Sequence, residues 1–167
     1  VHDVYVLNNN GVLYGWGTGG YLGDGTQIDR NTPVKIAENV KMLPPETDYE
    51  YPGFSFVTNE NELYAWGLNS SGEVGNGSYD PVYEPVKVLD NVVSFTCCSS
   101  NMYALTKDKN MYGWGATGNG QLGGSVYSYN AIKPKLLLSD VVEFGRQGLF
   151  SIYIKRNDGY FYRSRSI

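Results

Sequence analysis

Residues 63–77 read LYAWGLNSSGEVGNG, a Trp-Gly pair followed by an Asn and three further glycines at fixed offsets. Such a glycine-rich turn serves either as a phosphate cradle or as a structural corner reused along a chain. The rest of the sequence decides for the second. Trp16-Gly17, Trp66-Gly67 and Trp114-Gly115 hold every Trp in the chain and recur at intervals of 50 and 48 residues. The tyrosines two positions before each Trp, Tyr14, Tyr64 and Tyr112, are followed by Tyr162 after a further 50. The stretch is therefore one copy of a unit that occurs four times.

Each copy has the same grammar. VYVL (4–7) and VLYGW (12–16) flank Asn8 to Gly11, a short turn between two runs rich in β-formers, which reads as a hairpin. Equivalent hairpins surround Thr58 to Asn61, Lys107 to Asn110 and Arg156 to Gly159. Behind each Trp-Gly comes the glycine loop: WGTGGYLGDG, WGLNSSGEVGNG, WGATGNGQLGGS. Its single apolar residue, Leu22, Val74 or Leu122, is placed to plug the loop into the core, and its glycines admit positive φ and close backbone approach. A phosphate cradle would need a lysine or a helix N-terminus behind the glycines, and the sequence has neither. A proline strand follows at Pro33, Pro85 and Pro134, and a valine strand starts at Val40, Val92 and Val141. Taken as Pro-strand, Val-strand and hairpin, the units are blades at about 33–66, 85–114 and 134–163, with the hairpin 3–16 left over.

Composition agrees with an all-β chain. At 167 residues it is one domain, with 15 Tyr, 6 Phe and 3 Trp against 21 Gly, an aromatic and turn-rich mixture. No window holds a 3.6-residue apolar period over three turns. A net charge of −4 and a pI near 4.9 supply no basic patch, which argues against nucleic acid as a partner. No apolar run approaches the roughly 20 residues of a membrane-spanning helix. Cys97 and Cys98 are adjacent, so a bond between them is strained and a metal site lacks further ligands; they read as structural thiols. His2 is the one histidine and no carboxylate cluster stands out beyond loop acids, so no general base is evident. The expectation is a protein that is not an enzyme and uses no cofactor or metal.

A period near 50 with four antiparallel strands per unit means propeller blades. The expected architecture is a single β-propeller segment, 1–167, of three full four-stranded blades plus an orphan hairpin. Trp16 and Gly17; Trp66, Gly67, Asn69, Gly72, Gly75 and Gly77; and Trp114, Gly115, Gly120, Gln121, Leu122 and Gly123 resemble the repeat of the regulator of chromosome condensation family across essentially the whole chain. Departures are Glu73 in place of Gln, and Cys98 with Asn101, then Gly148 with Ser151, where the family has Gly and His. In the fourth copy Tyr162-Arg163-Ser164-Arg165 stands where Trp-Gly is expected. The resemblance implies a ring of seven blades, about half of it present, with the same half-blade at both ends. Further blades from the same protein, or self-association through open sheet edges, would then complete it.

Function in propellers sits on loops. The long segments 17–32, 67–84 and 115–133, and the connection PPETDYEYPG at 44–53, leave on one face. They carry Tyr21, Tyr49, Tyr51, Tyr79, Tyr83, Tyr127 and Tyr129 among acids that include Asp24, Asp29, Asp80 and Glu84. Tyrosine gives amphipathic contact area at small entropic cost, so the expectation is a surface that binds a basic or mixed protein partner. The family resemblance implies one alternative, guanine-nucleotide exchange on a small GTPase. Paired loop acids such as Asp48 and Glu50 supply a weaker one, action on glycosides. Loops rich in Asn, Tyr and Asp favour a bacterial protein, secreted or displayed at the surface.

Overall fold

A computed structural model describes residues 3–18, 20–44, 53–98, 100–118, 120, 122, 130–146 and 151–163. These residues form fourteen strands in four antiparallel sheets, with no helix among them. The first sheet holds β1 (Val4–Leu7), β2 (Leu13–Gly17) and β3 (Arg30–Ala37). The second runs β4 (Val40–Met42), β5 (Gly53–Thr58), β6 (Leu63–Gly67), β7 (Val82–Leu89), each paired with the next. The third repeats that order with β8 (Val92–Cys98), β9 (Asn101–Thr106), β10 (Met111–Gly115) and β11 (Ala131–Leu138). The fourth holds β12 (Val141–Arg146), β13 (Ile152–Arg156) and β14 (Phe161–Arg163).

The blades are thus cut one strand away from where the sequence suggests. The Pro-strand does not open a blade; it closes one, by pairing with the Trp strand before it, Tyr64 opposite Lys87 and Gly67 opposite Val82. The two complete sheets span 40–89 and 92–138, not 33–66 and 85–114, and Val141 rather than Pro134 begins the fourth. Asn39, Asn91 and Asp140, at φ near +60°, make the two-residue connections that follow each Pro-strand. In sequence these look like hairpin turns, but they step from one sheet to the next. The Val40 and Val92 amides donate to the carbonyls of Gly11 and Asn61 in the hairpin behind. The carbonyls of Asn39 and Asn91 accept from Asn59 and Lys107 in the hairpin ahead. One consequence concerns the terminal sheets. The first has a hairpin plus a Pro-strand, the last a Val-strand plus a hairpin, so they do not carry the same half-blade.

Strands β5 and β9 are buried on both faces, because a blade packs against a neighbour on each side. The core accordingly divides into three clusters, one per seam. Leu13, Val40, Phe56 and Trp66 fill the first; Val57, Phe95, Met102 and Trp114 lie in the second; Tyr103, Leu122, Phe144 and Ile154 lie in the third. Each Trp stands at a register shift between its strand and the Pro-strand, and a bulge of this kind re-aims a side chain. Trp66 and Trp114 become fully buried. Gly115, at φ +102°, turns the chain out of the strand, and a Cβ there would stand 2.1 Å from the Ser100 carbonyl oxygen.

Candidate functional site

All connections that follow a Val-strand or a Trp strand leave at one end of the sheets, and the two-residue steps and hairpins crowd the other end. Of the long connection 44–53, residues 45–52 lie outside the described set, Tyr49 and Tyr51 with them, as do Gln121, Gly123, Tyr127 and Tyr129.

The loop 68–81 is built around Asn69. Its side chain is fully buried, its Oδ1 accepts from the Val74 amide at 2.9 Å, and its Nδ2 donates to Asn76 Oδ1, Ser78 O and Asp80 O. A short amide at this position is what lets one side chain satisfy several turning backbone groups. Buried Glu73 accepts from the Ser71 amide at 2.7 Å, and Val74, fully buried, is the plug. With the base fixed, the tip projects. Ser78 Oγ donates to Asp80 Oδ2 at 2.8 Å, and Tyr79 between them is 48% exposed.

The loop after Trp16 meets this one across the first seam. Tyr21 and Tyr83 stack with parallel rings, centroids 5.7 Å apart and planes at 4°, so residues 62 positions apart share one aromatic surface. The Gly25 amide donates to the Tyr83 carbonyl at 2.9 Å. Behind them Asp24 takes hydrogen bonds from Thr26 and from Arg30, the latter at 2.6 Å. Burial pushes the Asp24 carboxyl up, but the bonds from Thr26 and Arg30 outweigh it and hold the group below the ordinary carboxylate range. Asp29 is exposed, and Ile28 beside it, 61% exposed, is an apolar residue that charge and tyrosine counting passed over. Of the expected residues the structure brings Tyr21 and Tyr83 into contact, while Tyr79 and Asp29 are exposed. Among the described residues no group of three or more His, Cys, Asp or Glu is placed to hold a metal.

The fold and its glycine loops define the class: four-stranded propeller blades joined blade to blade by a repeated Trp and glycine contact. Residues 60–105 match the model of the Regulator of chromosome condensation (RCC1) repeat. Over those residues the chain carries a repeat of the RCC1 type, and the neighbouring sheets follow the same strand order. It is similar to the human E3 ubiquitin-protein ligase HERC2, 32% identical over 111 residues, which are 61% of this chain and 2% of that protein. It is also similar to the Arabidopsis thaliana ultraviolet-B receptor UVR8, 32% identical over 75 residues, 42% of this chain and 17% of the receptor. Among solved structures, Prp20p from Saccharomyces cerevisiae superposes with a TM-score of 0.72 at 26% identity, over 96% of this chain and 41% of that one. Prp20 has been crystallised bound to Kap60, and Prp20p has been examined for its binding to Gsp1p and histones. Human WBSCR16, at 18% identity and a TM-score of 0.76, shares the fold. The chain spans less than half the length of each of these relatives.

Proposed function

We propose that this chain is a non-catalytic protein-binding module that engages its partner through the loop face. The observation that carries the reading is the parallel Tyr21–Tyr83 stack across two blades. It pre-orders aromatic contact area on a face that also carries exposed loop residues Tyr79 and Asp29, and rigid aromatic anchors are what binding surfaces concentrate energy in. Kap60 bound to the yeast relative supports a protein as the class of partner. The acids at Asp29 and Asp80 suit a basic or mixed one. Loop composition supports a bacterial, secreted or surface setting.

The test uses the full chain as bait in a lysate, with captured proteins identified and their affinities then measured. Replacing Tyr21, Tyr79 and Tyr83 together by Ala is expected to weaken binding by about tenfold or more. Tyr160→Ala, at the hairpin end, is expected to leave it unchanged. Unaltered binding by the triple variant refutes the loop face as the site. Likeness to Prp20p over nearly the whole chain favours a second reading, nucleotide exchange on a small GTPase. That reading requires the chain to speed release of labelled nucleotide from the GTPase, and no acceleration over the spontaneous rate rejects it.

A further inference from the structure

A cleft of about 510 Å³ lies on the seam between the first and second sheets and borders the tyrosine surface at Asp24 and Glu84. Its walls come from the end of β3 on one side and from β5 and β6 on the other. Phe56 and Tyr64, stacked with centroids 5.3 Å apart, line its interior together with Ile36 and Ala37. Five carboxylates line it as well: Asp24, Glu38, Glu60, Glu62 and Glu84. Arg30, Lys35 and Lys87 answer Asp24, Glu38 and Glu62. Among the described residues Glu60 accepts from the Asn39 side-chain amide, and neither Glu60 nor exposed Glu84 forms an ion pair, the nearby Lys41 being bonded to Asn61 Oδ1.

The repeat provides an internal comparison. At the second seam the same strand positions hold Lys133 for Glu84, Asn110 for Glu62, Asn76 for Asp24 and Ala104 for Phe56. Lys87, Asp90 and Asp108 keep the charges of Lys35, Glu38 and Glu60. The equivalent groups there balance, two acids against two lysines, whereas at the first seam five acids face Arg30, Lys35 and Lys87 and two acids are left over. Blade geometry is common to both seams, so the strand pairing does not by itself require the extra acids at the first.

We infer that the first seam is a docking groove for a basic, extended segment of a protein partner, with Arg or Lys side chains between Glu60 and Glu84 and against the Tyr64 wall. An aromatic surface beside unanswered carboxylates favours a guanidinium, which can stack and pair at once. A cleft of this volume is of the size that accepts a few side chains. The groove adjoins the loop face at Asp24 and Glu84 but does not rest on the loop-face reading, because its pairing acids and Tyr64 wall lie on blade elements.

The test is fluorescence anisotropy of a fluorescein-labelled Gly-Arg-Gly-Arg-Gly-Arg peptide titrated with the full chain at low salt, where such pairing is least screened. Glu60→Gln with Glu84→Gln is expected to weaken the complex by about tenfold. Asp29→Asn with Asp80→Asn removes the same charge from the loop face and is expected to change it by less than about twofold. Glu84→Lys installs the residue the sister seam carries as Lys133, so it keeps the fold, and it is expected to weaken the complex at least as much as the glutamine pair. Equal losses in the two double variants would mean a diffuse acidic field and overturn the groove. So would an undiminished affinity in the Glu60/Glu84 variant, or equal binding of a Gly-Glu peptide of the same length. Binding that survives Tyr79→Ala while the loop-face partner is lost separates the two surfaces.

Discussion

Trp114 donates its indole N–H to the Glu73 carbonyl at 2.9 Å and lies so close over Gly75 that a Cβ there would stand 2.5 Å from Nε1. The first seam repeats the relationship, with Trp66 donating to the Tyr21 carbonyl at 3.1 Å and Gly23 in the place of Gly75. The Trp and the glycine of the repeat are thus partners from different blades. The glycine loop of one unit closes over the indole of the next, which couples neighbouring repeats in the manner of a linear array.

Gly75→Ala combines a clash with a backbone at φ +83°, and is expected to destabilise the chain by about 2–4 kcal/mol. A Cβ on Gly118 meets nothing within 4 Å, so Gly118→Ala is expected to stay within about 0.5 kcal/mol. Urea denaturation of the two variants checks the difference.

Trp114→Phe keeps aromatic bulk but leaves the buried Glu73 carbonyl without its donor, at an expected cost of about 2 kcal/mol. Trp16 is half-buried, and its indole N–H has no hydrogen-bond partner among the described residues, so Trp16→Phe is expected to cost less than half as much. Thermal melts of the two variants, compared with the parent, decide it.

Asn69→Ala strips one acceptor and three donated bonds from a fully buried position. A loss of about 2–4 kcal/mol is expected, together with faster amide exchange at Val74. Exchange at Thr106, in the next blade, is expected to change only as global stability does.

Asp24 is held below the ordinary carboxylate range by Thr26 and Arg30 against the upward push of burial. Its stabilising contribution is full above the unfolded value near 3.9 and is lost as pH falls through the lower folded value. Asp24→Asn is therefore expected to be less stable than the parent at neutral pH and to lose less on acidification from about pH 5 to about pH 2. Denaturant midpoints across that range test the sign.

Tyr5 and Tyr103 are both pushed above the usual phenol range, first by burial and then by the nearby Asp3 and Cys98 respectively. Tyr5 also donates to the Leu22 carbonyl at 3.1 Å and stacks on Phe54 at 4.1 Å. The stability these phenols supply is present below the ordinary value of about 10 and lost as pH rises through the folded one. In an alkaline absorbance titration two of the 15 tyrosines are expected to ionise only as the chain unfolds. Their ionisation before the loss of β-sheet signal would contradict the packing.

The unit, its number of strands and its glycine loop follow from the sequence itself, because the Trp-Gly pair, the hairpin and the Pro-strand recur together at one period near 50 residues. The hairpins were legible for the same local reason: two β-rich runs close on a turn that needs nothing from elsewhere. The blade boundary was not legible. A two-residue connection with Asn39 or Asn91 at positive φ reads as a hairpin, and whether it folds back or crosses over depends on which strand offers a free edge. The Trp strand offers that edge to the Pro-strand after it, so the crossing falls one step later.

The site divides along the same line. Local sequence puts Tyr21 and Tyr79 in the loops after the Trp strands, but it also counts Tyr83 as a loop residue, which the structure places in β7 because the Pro-strand begins at Val82. The stacking of Tyr21 on Tyr83, the closing of Gly75 over Trp114 and the acidic seam between Glu60 and Glu84 are contacts between different blades. Sequence determined what each repeat is, because strand, turn and bulge are set by neighbours along the chain. Tertiary structure decided what the repeats do to one another, because those contacts exist only once two blades share a seam.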